Sequence, residues 1–98
     1  MPVLTPKFIK LHLKDISGWK SRRSAIVRTY IFKRFIHSLD FVNRIAKQAQ
    51  RSNHHPDIRI SFNKVTLSLS THDEGGVTEK DFAMAAALDK IFAFYYTT

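Results

Sequence analysis

Between Ile58 and Leu69 apolar and polar positions alternate along two arms, Ile58, Ile60 and Phe62 on the first and Val65, Leu67 and Leu69 on the second. Alternation of this kind is the strand period, and two such runs in tandem predict a β-hairpin. With Asn63-Lys64 as the turn, Phe62 pairs with Val65, Ile60 with Leu67 and Ile58 with Leu69. Every apolar residue then shares one face, which a one-residue slip would destroy. Extending the ladder puts Pro56 opposite Thr71 and His55 opposite His72, with cross-strand Cβ atoms about 5 Å apart.

The pattern changes to helical period over residues 35–52, where Phe35, Leu39, Val42, Ala46 and Ala49 form a stripe flanked by Phe41 and Ile45. Asn53 ends this helix and Pro56 forbids its continuation. Thr5-Pro6 marks an earlier helix start, running to about Asp15 and stopping near Gly18. Gly18-Trp19-Lys20 begins an extended segment. A turn around Ser21 to Ser24 leads into Ala25–Lys33, a strand apolar on both faces and therefore central or doubly covered. After the permissive Gly75-Gly76, Thr78-Glu79-Lys80-Asp81 has capping-box spacing and opens a last helix. Apolar groups wrap most of that helix, as expected of a core helix or of one that also meets another subunit.

The order is thus α-β-β-α-β-β-α. It predicts an α+β fold, a two-layer sandwich with a four-stranded antiparallel sheet and three helices on one face. At 98 residues the chain makes a single domain, 1–98, too small to enclose a cleft between two domains. A second subunit would complete a deep pocket more easily.

Charge and composition narrow the function. Residues 1–39 hold nine Lys/Arg against the single acid Asp15, whereas residues 40–98 hold seven of each sign. The basic N-terminal half can attract a phosphate-bearing or acidic partner, or simply be a solvated surface. No aromatic-interleaved RNA signature or helix-turn-helix pattern points to nucleic acid. No apolar run reaches membrane-spanning length, Lys7, Lys10, Lys14 and Asp15 interrupt any signal core, and the absence of cysteine fits a cytoplasmic protein. Nucleophile elbow, P-loop and dinucleotide motifs are all missing.

What remains is imidazole. His54, His55 and His72 fall within 19 residues, with Asp73 and Asp81 nearby. Histidine exchanges protons at physiological pH, so several of them without a nucleophile suit dehydration or isomerisation of a bound substrate. A zinc or iron site is the competing reading. Adjacent residues in extended chain point oppositely, however, so His54 and His55 share one ion only if Pro56 breaks that geometry. The plainest alternative is that the histidines only cap a hairpin.

The run Asn53-His54-His55-Pro56, five residues, Phe62, nine residues, His72, eight residues, Asp81 resembles the signature of the pterin-4a-carbinolamine dehydratases. Gly18-Trp19, the Arg28–Phe32 strand, Phe62-Asn63-Lys64-Val65 and Thr71-His72-Asp73 through Gly76 extend the resemblance over roughly residues 4–95. It implies dehydration of a 4a-hydroxytetrahydropterin to quinonoid dihydropterin, in tetrahydrobiopterin recycling. His54 and His72 would act as acids on the hydroxyl, His55 would hold the ring, and Asp81 would fix an imidazole or a substrate group. Gln50, Pro56, Thr71 and Asp73 would help bind substrate. Such chemistry moves protons and expels water, so neither cofactor nor metal is expected. Relatives often carry glutamate where this chain has Gln50, and an aromatic residue where it has Ile58. The family also resembles a dimerisation cofactor of transcription factors, which makes a non-catalytic partner-binding module the alternative.

Overall fold

Thr5 caps the first helix by accepting the Phe8 N–H at 3.4 Å, and Pro6 follows where its missing N–H costs nothing. The computed structural model describes residues 2–96. Helix α1 (Pro6–Leu13) ends two residues before the expected Asp15, because Lys14 and Asp15 tighten into short-range turns onto Leu11 and His12. Strands β1 (Lys20–Arg22) and β2 (Ala25–Ile31), helix α2 (Phe35–Ser52), strands β3 (Asp57–Ser61) and β4 (Lys64–Leu69), and helix α3 (Glu79–Tyr96) follow. A 3-10 turn, His72–Glu74, stands between β4 and α3. The sheet is antiparallel in the order β1-β2-β4-β3, so β2 is central as its apolar content predicted. The α-β-β-α-β-β-α sandwich of four strands and three helices is the one the pattern predicts.

One face of the sheet carries Ile26, Tyr30, Val65, Leu67 and Leu69, all essentially buried beneath the helices. Tyr30 and Phe32 meet Phe41 of α2 and Phe92 of α3 in a tilted aromatic cluster with centroids 4.8–5.9 Å apart. This cluster decides how α2 rolls. The helix buries Ser38, Phe41, Ile45 and Ala49, one step around from the predicted stripe, and leaves Phe35 46% exposed. Two apolar stripes compete on α2, and the one whose ring fills the space above Tyr30 wins.

The β3–β4 register differs from expectation by two residues. Ser61 pairs with Lys64, Ile60 with Val65 and Ile58 with Leu67, so Phe62-Asn63 is the turn. Asn63 fixes this choice: its amide donates to the Phe32 carbonyl at 2.7 Å while its own carbonyl accepts the Phe32 N–H at 2.8 Å. A shift of two preserves the shared face. Ile58 and Ile60 do lie on the helix side, yet each is 39% exposed on the edge strand β3. Phe62 leaves that face for the turn and stacks on Phe35 at 6.3 Å. The ladder stops at Asp57–Ser68, so Pro56 does not oppose Thr71, nor His55 His72. Thr71 instead bridges Gly76.

A polar anchor ties the layers on the other side of the core. Asp89 of α3 accepts the Trp19 indole N–H at 3.0 Å, an Arg28 N–H at 2.8 Å and the Tyr30 hydroxyl. Arg28 lies over the Tyr30 ring, 4.3 Å from its centroid. Gly18, at φ +93°, lets this happen, since a Cβ there would sit 2.8 Å from the Arg28 Nε. Among the described residues no helix is long and apolar enough to cross a membrane.

Candidate active site

The end of α2 sets the first histidine. Asn53 takes the left-handed conformation, its N–H bonds the Gln50 carbonyl, and the His54 N–H bonds that of Ala49 at 3.2 Å. This is a Schellman stop, in which asparagine tolerates the positive φ that most residues avoid. The reversal turns His54 toward the start of α3, its side chain 12% exposed. Its Nε2 lies 2.6 Å from Oδ1 of Asp81.

Asp81 is fully buried, and the other carboxylate oxygen is equally engaged. Oδ2 accepts the Thr78 N–H at 2.9 Å, which completes the capping box of α3, and the Thr71 hydroxyl at 2.9 Å. Thr78 in turn gives its hydroxyl proton to Thr71 at 2.7 Å and accepts the Lys80 N–H at 3.2 Å. Each hydroxyl donates once, so the chain Thr78 to Thr71 to Asp81 has a single consistent direction. A carboxylate offers only acceptors, so His54 carries its proton on Nε2 and turns Nδ1 away from Asp81. Asp81 thus caps a helix and orients an imidazole at once.

His55 is exposed, and Pro56 behind it is half-buried and keeps the entry to β3 extended. The His55 Nε2–H donates to the Gln50 side-chain carbonyl at 3.0 Å. His72 opens the 3-10 turn, exposed, with Asp73 exposed beside it. It closes one end of a cavity of about 510 Å³ on the helix-free face of the sheet, which Arg22, Arg23, Asp57, Arg59 and Ser68 also line. The structure therefore joins His54, Thr71 and Asp81 directly, pairs His55 with Gln50, and places His72 on the lining of a polar cavity. Among the described residues no three His, Cys, Asp or Glu side chains converge as a metal-ligand set.

Sequence reasoning missed Thr78 as part of the hydrogen-bonded relay, although the capping-box spacing had singled it out. It also missed the arginines facing His72. Their only signal was the Arg22-Arg23 pair in a predicted turn, which reads as ordinary surface charge.

Comparison with known proteins bears on this arrangement. A protein of Herpetosiphon aurantiacus, provisionally named a pterin-4-alpha-carbinolamine dehydratase, is 50% identical over 93 residues, covering 95% of this chain and 97% of its own. A provisionally named counterpart from Sulfolobus acidocaldarius is 46% identical over 83 residues, covering 85% of this chain and 91% of its own. The crystal structure of a transcriptional coactivator/pterin dehydratase from Brucella melitensis superposes with a TM-score of 0.86 at 34% identity, over 91% of this chain and 97% of that one. A pterin dehydratase-like protein described as a RuBisCO assembly factor of the alpha-carboxysome shares the fold alone, with a TM-score of 0.61 at 19% identity, over 74% of this chain and 84% of that one. The family profile described as Pterin 4 alpha carbinolamine dehydratase matches residues 2–91, a span that holds His54, His55, His72 and Asp81. With that match and half its residues shared with a relative of nearly equal length, this chain belongs to the pterin-4-alpha-carbinolamine dehydratase family.

Proposed function

We propose that this protein dehydrates 4a-hydroxytetrahydropterins to quinonoid dihydropterins by histidine acid–base catalysis. The carrying observation is the His54–Asp81 pair at 2.6 Å, its carboxylate buried and saturated, in a chain of this family. One proton must reach the 4a-hydroxyl so that the C–O bond breaks with loss of water. Another must leave the neighbouring ring nitrogen as the C=N bond forms. Electrons stay paired throughout, so no redox partner enters. His54, oriented by Asp81, and His72 are the acids toward the hydroxyl, one of them transferring the proton that departs in water; the ring-nitrogen proton passes to solvent water, from which the imidazole regains its own. His55, steadied by Gln50, holds the ring. General acid–base help is worth about 10²–10⁴-fold, enough for a reaction that already proceeds in water. Purified protein should accelerate conversion of freshly generated 4a-hydroxytetrahydropterin well above the spontaneous rate. No acceleration would sink the reading.

Full activity should persist after exhaustive chelation, because none of these steps calls for a Lewis acid. One tightly held zinc or iron per subunit, with activity lost on its removal, would reverse the roles given to His54 and His72.

Gln50→Ala frees His55 from an exposed hydrogen bond worth about 0.5–1 kcal/mol. The Michaelis constant should rise about two- to fivefold with kcat nearly unchanged, as uniform binding is lost. A fall in kcat instead would move His55 into the chemistry.

Assembly belongs to the same reading. The β3 edge, with Ile58 and Ile60 half-exposed, supports a homodimer or homotetramer. Sedimentation should give a multiple of 11.4 kDa at micromolar concentration, and a stable monomer would contradict it.

A further inference from the structure

We propose that the pterin this protein acts on carries an anionic side chain, a phosphate or a carboxylate, seated on Arg22, Arg23 and Arg59. The inference rests on the dehydratase reading and adds the chemical class of the substrate's tail.

The cavity that ends at His72 supplies the first argument. At about 510 Å³ it is the size of a small-ligand site, and it runs along the polar face of β2, β4 and β3 away from the reacting histidine. Its side walls carry three guanidiniums against one carboxylate, Asp57. Arg28 and Arg44 elsewhere in the chain are paired with Asp89 and Asp40, but none of these three makes an ion pair with another described residue. Unpaired guanidiniums from two separate hairpins, facing one cavity, form a fork that matches a phosphate or carboxylate. Thr66, Ser68 and Ser70 on the same lining would suffice for a neutral polyol, so the arginines add a requirement for charge.

The second argument is backbone strain. Arg22 and Ala25 close a two-residue turn, Arg23-Ser24, in which Arg23 stands at φ +56°. Glycine is the residue this turn position favours, and an L side chain there costs on the order of 1 kcal/mol. Such strain persists where the side chain has a use. The side chain of Arg23 lines the cavity.

Titration calorimetry at low and high salt tests the proposal with three 7,8-dihydropterins. One bears a neutral polyol tail, one its phosphate monoester, and one a tail ending in a carboxylate. At least one charged ligand should bind about tenfold or more tightly than the neutral one at low salt, with the difference shrinking at high salt. Whichever anion wins identifies the source. Arg23→Gly combined with Arg59→Gln, which leaves Arg22 in place, should shrink the preference for the charged tail, and an undiminished preference would overturn the assignment. Arg23→Gly alone should raise the melting temperature, so lost preference cannot be blamed on unfolding. Lys7→Gln with Lys10→Gln removes the same net charge from α1 and should keep the preference. Equal affinity for all three ligands overturns the anionic tail and spares the dehydratase reading. Failure to bind any pterin overturns both.

Discussion

Under the proposed mechanism, replacing both His54 and His72 with alanine should abolish the dehydration acceleration, a loss of about 10²–10⁴-fold, because no acid would then face the departing hydroxyl. The His72 change costs little stability, since that side chain is exposed. The His54 change leaves Oδ1 of Asp81 buried without its partner, worth about 1–3 kcal/mol. Asp81→Asn separates the presence of the imidazole from its orientation. The asparagine carbonyl must stay toward the Thr71 hydroxyl and the Thr78 N–H, both of which donate. Its NH₂ group is then forced toward Nε2 of His54, and the ring must move its proton to Nδ1. Activity should fall nearly as far as in His54→Ala, with the tautomer change visible in imidazole ¹⁵N shifts. Activity within threefold of the parent would show that Asp81 serves the helix alone.

The largest loss of stability is expected from Asp89→Ala. The change strands the Trp19 indole N–H, the Tyr30 hydroxyl and the Arg28 guanidinium, whose side chain is only 23% exposed. Removing one partner of a largely buried charge pair costs far more than the pair itself contributes, here about 2–4 kcal/mol. Urea unfolding should show the midpoint falling at unchanged slope, and a change under 1 kcal/mol would mean that water replaces the carboxylate freely. The same anchor gives an alkaline signature. Burial, then the hydrogen bond and the charge of Asp89, push the Tyr30 phenol far above its ordinary value, against a smaller opposing effect of Arg28. The folded chain therefore keeps a proton that the unfolded chain releases near pH 10. Stability from this group is complete below that pH and drains away above it. Tyr30→Phe should flatten the alkaline limb of the stability curve.

Element order, sheet membership and the capping box were legible because each depends on local pattern: period two, period 3.6, and Thr–Asp spacing. The turn of the β3–β4 hairpin was not, because Asn63 is held by Phe32, a residue 31 positions away. Nor was the roll of α2, which is settled by which ring fits over Tyr30. The histidines stood out by spacing, and the link of His54 to Asp81 agrees with the resemblance. The ladder's stop at Asp57–Ser68 and the 3-10 turn that His72 opens leave no trace in a strand pattern. The arginines around His72 come from two hairpins, so no linear run marks them.

The sharing of Asp81 between a helix cap and an imidazole has a consequence for inheritance. A descendant lineage that gave up chemistry would be free to lose the exposed His72, and could lose His54 only by leaving one Asp81 oxygen without its partner. Asp81 would not be released with them, because the Thr78 N–H and the Thr71 hydroxyl need its buried carboxylate whatever the protein does. In such a lineage the aspartate outlasts His72. Retention of Asp81 in a relative therefore says nothing about activity, and retention of the exposed His72 does.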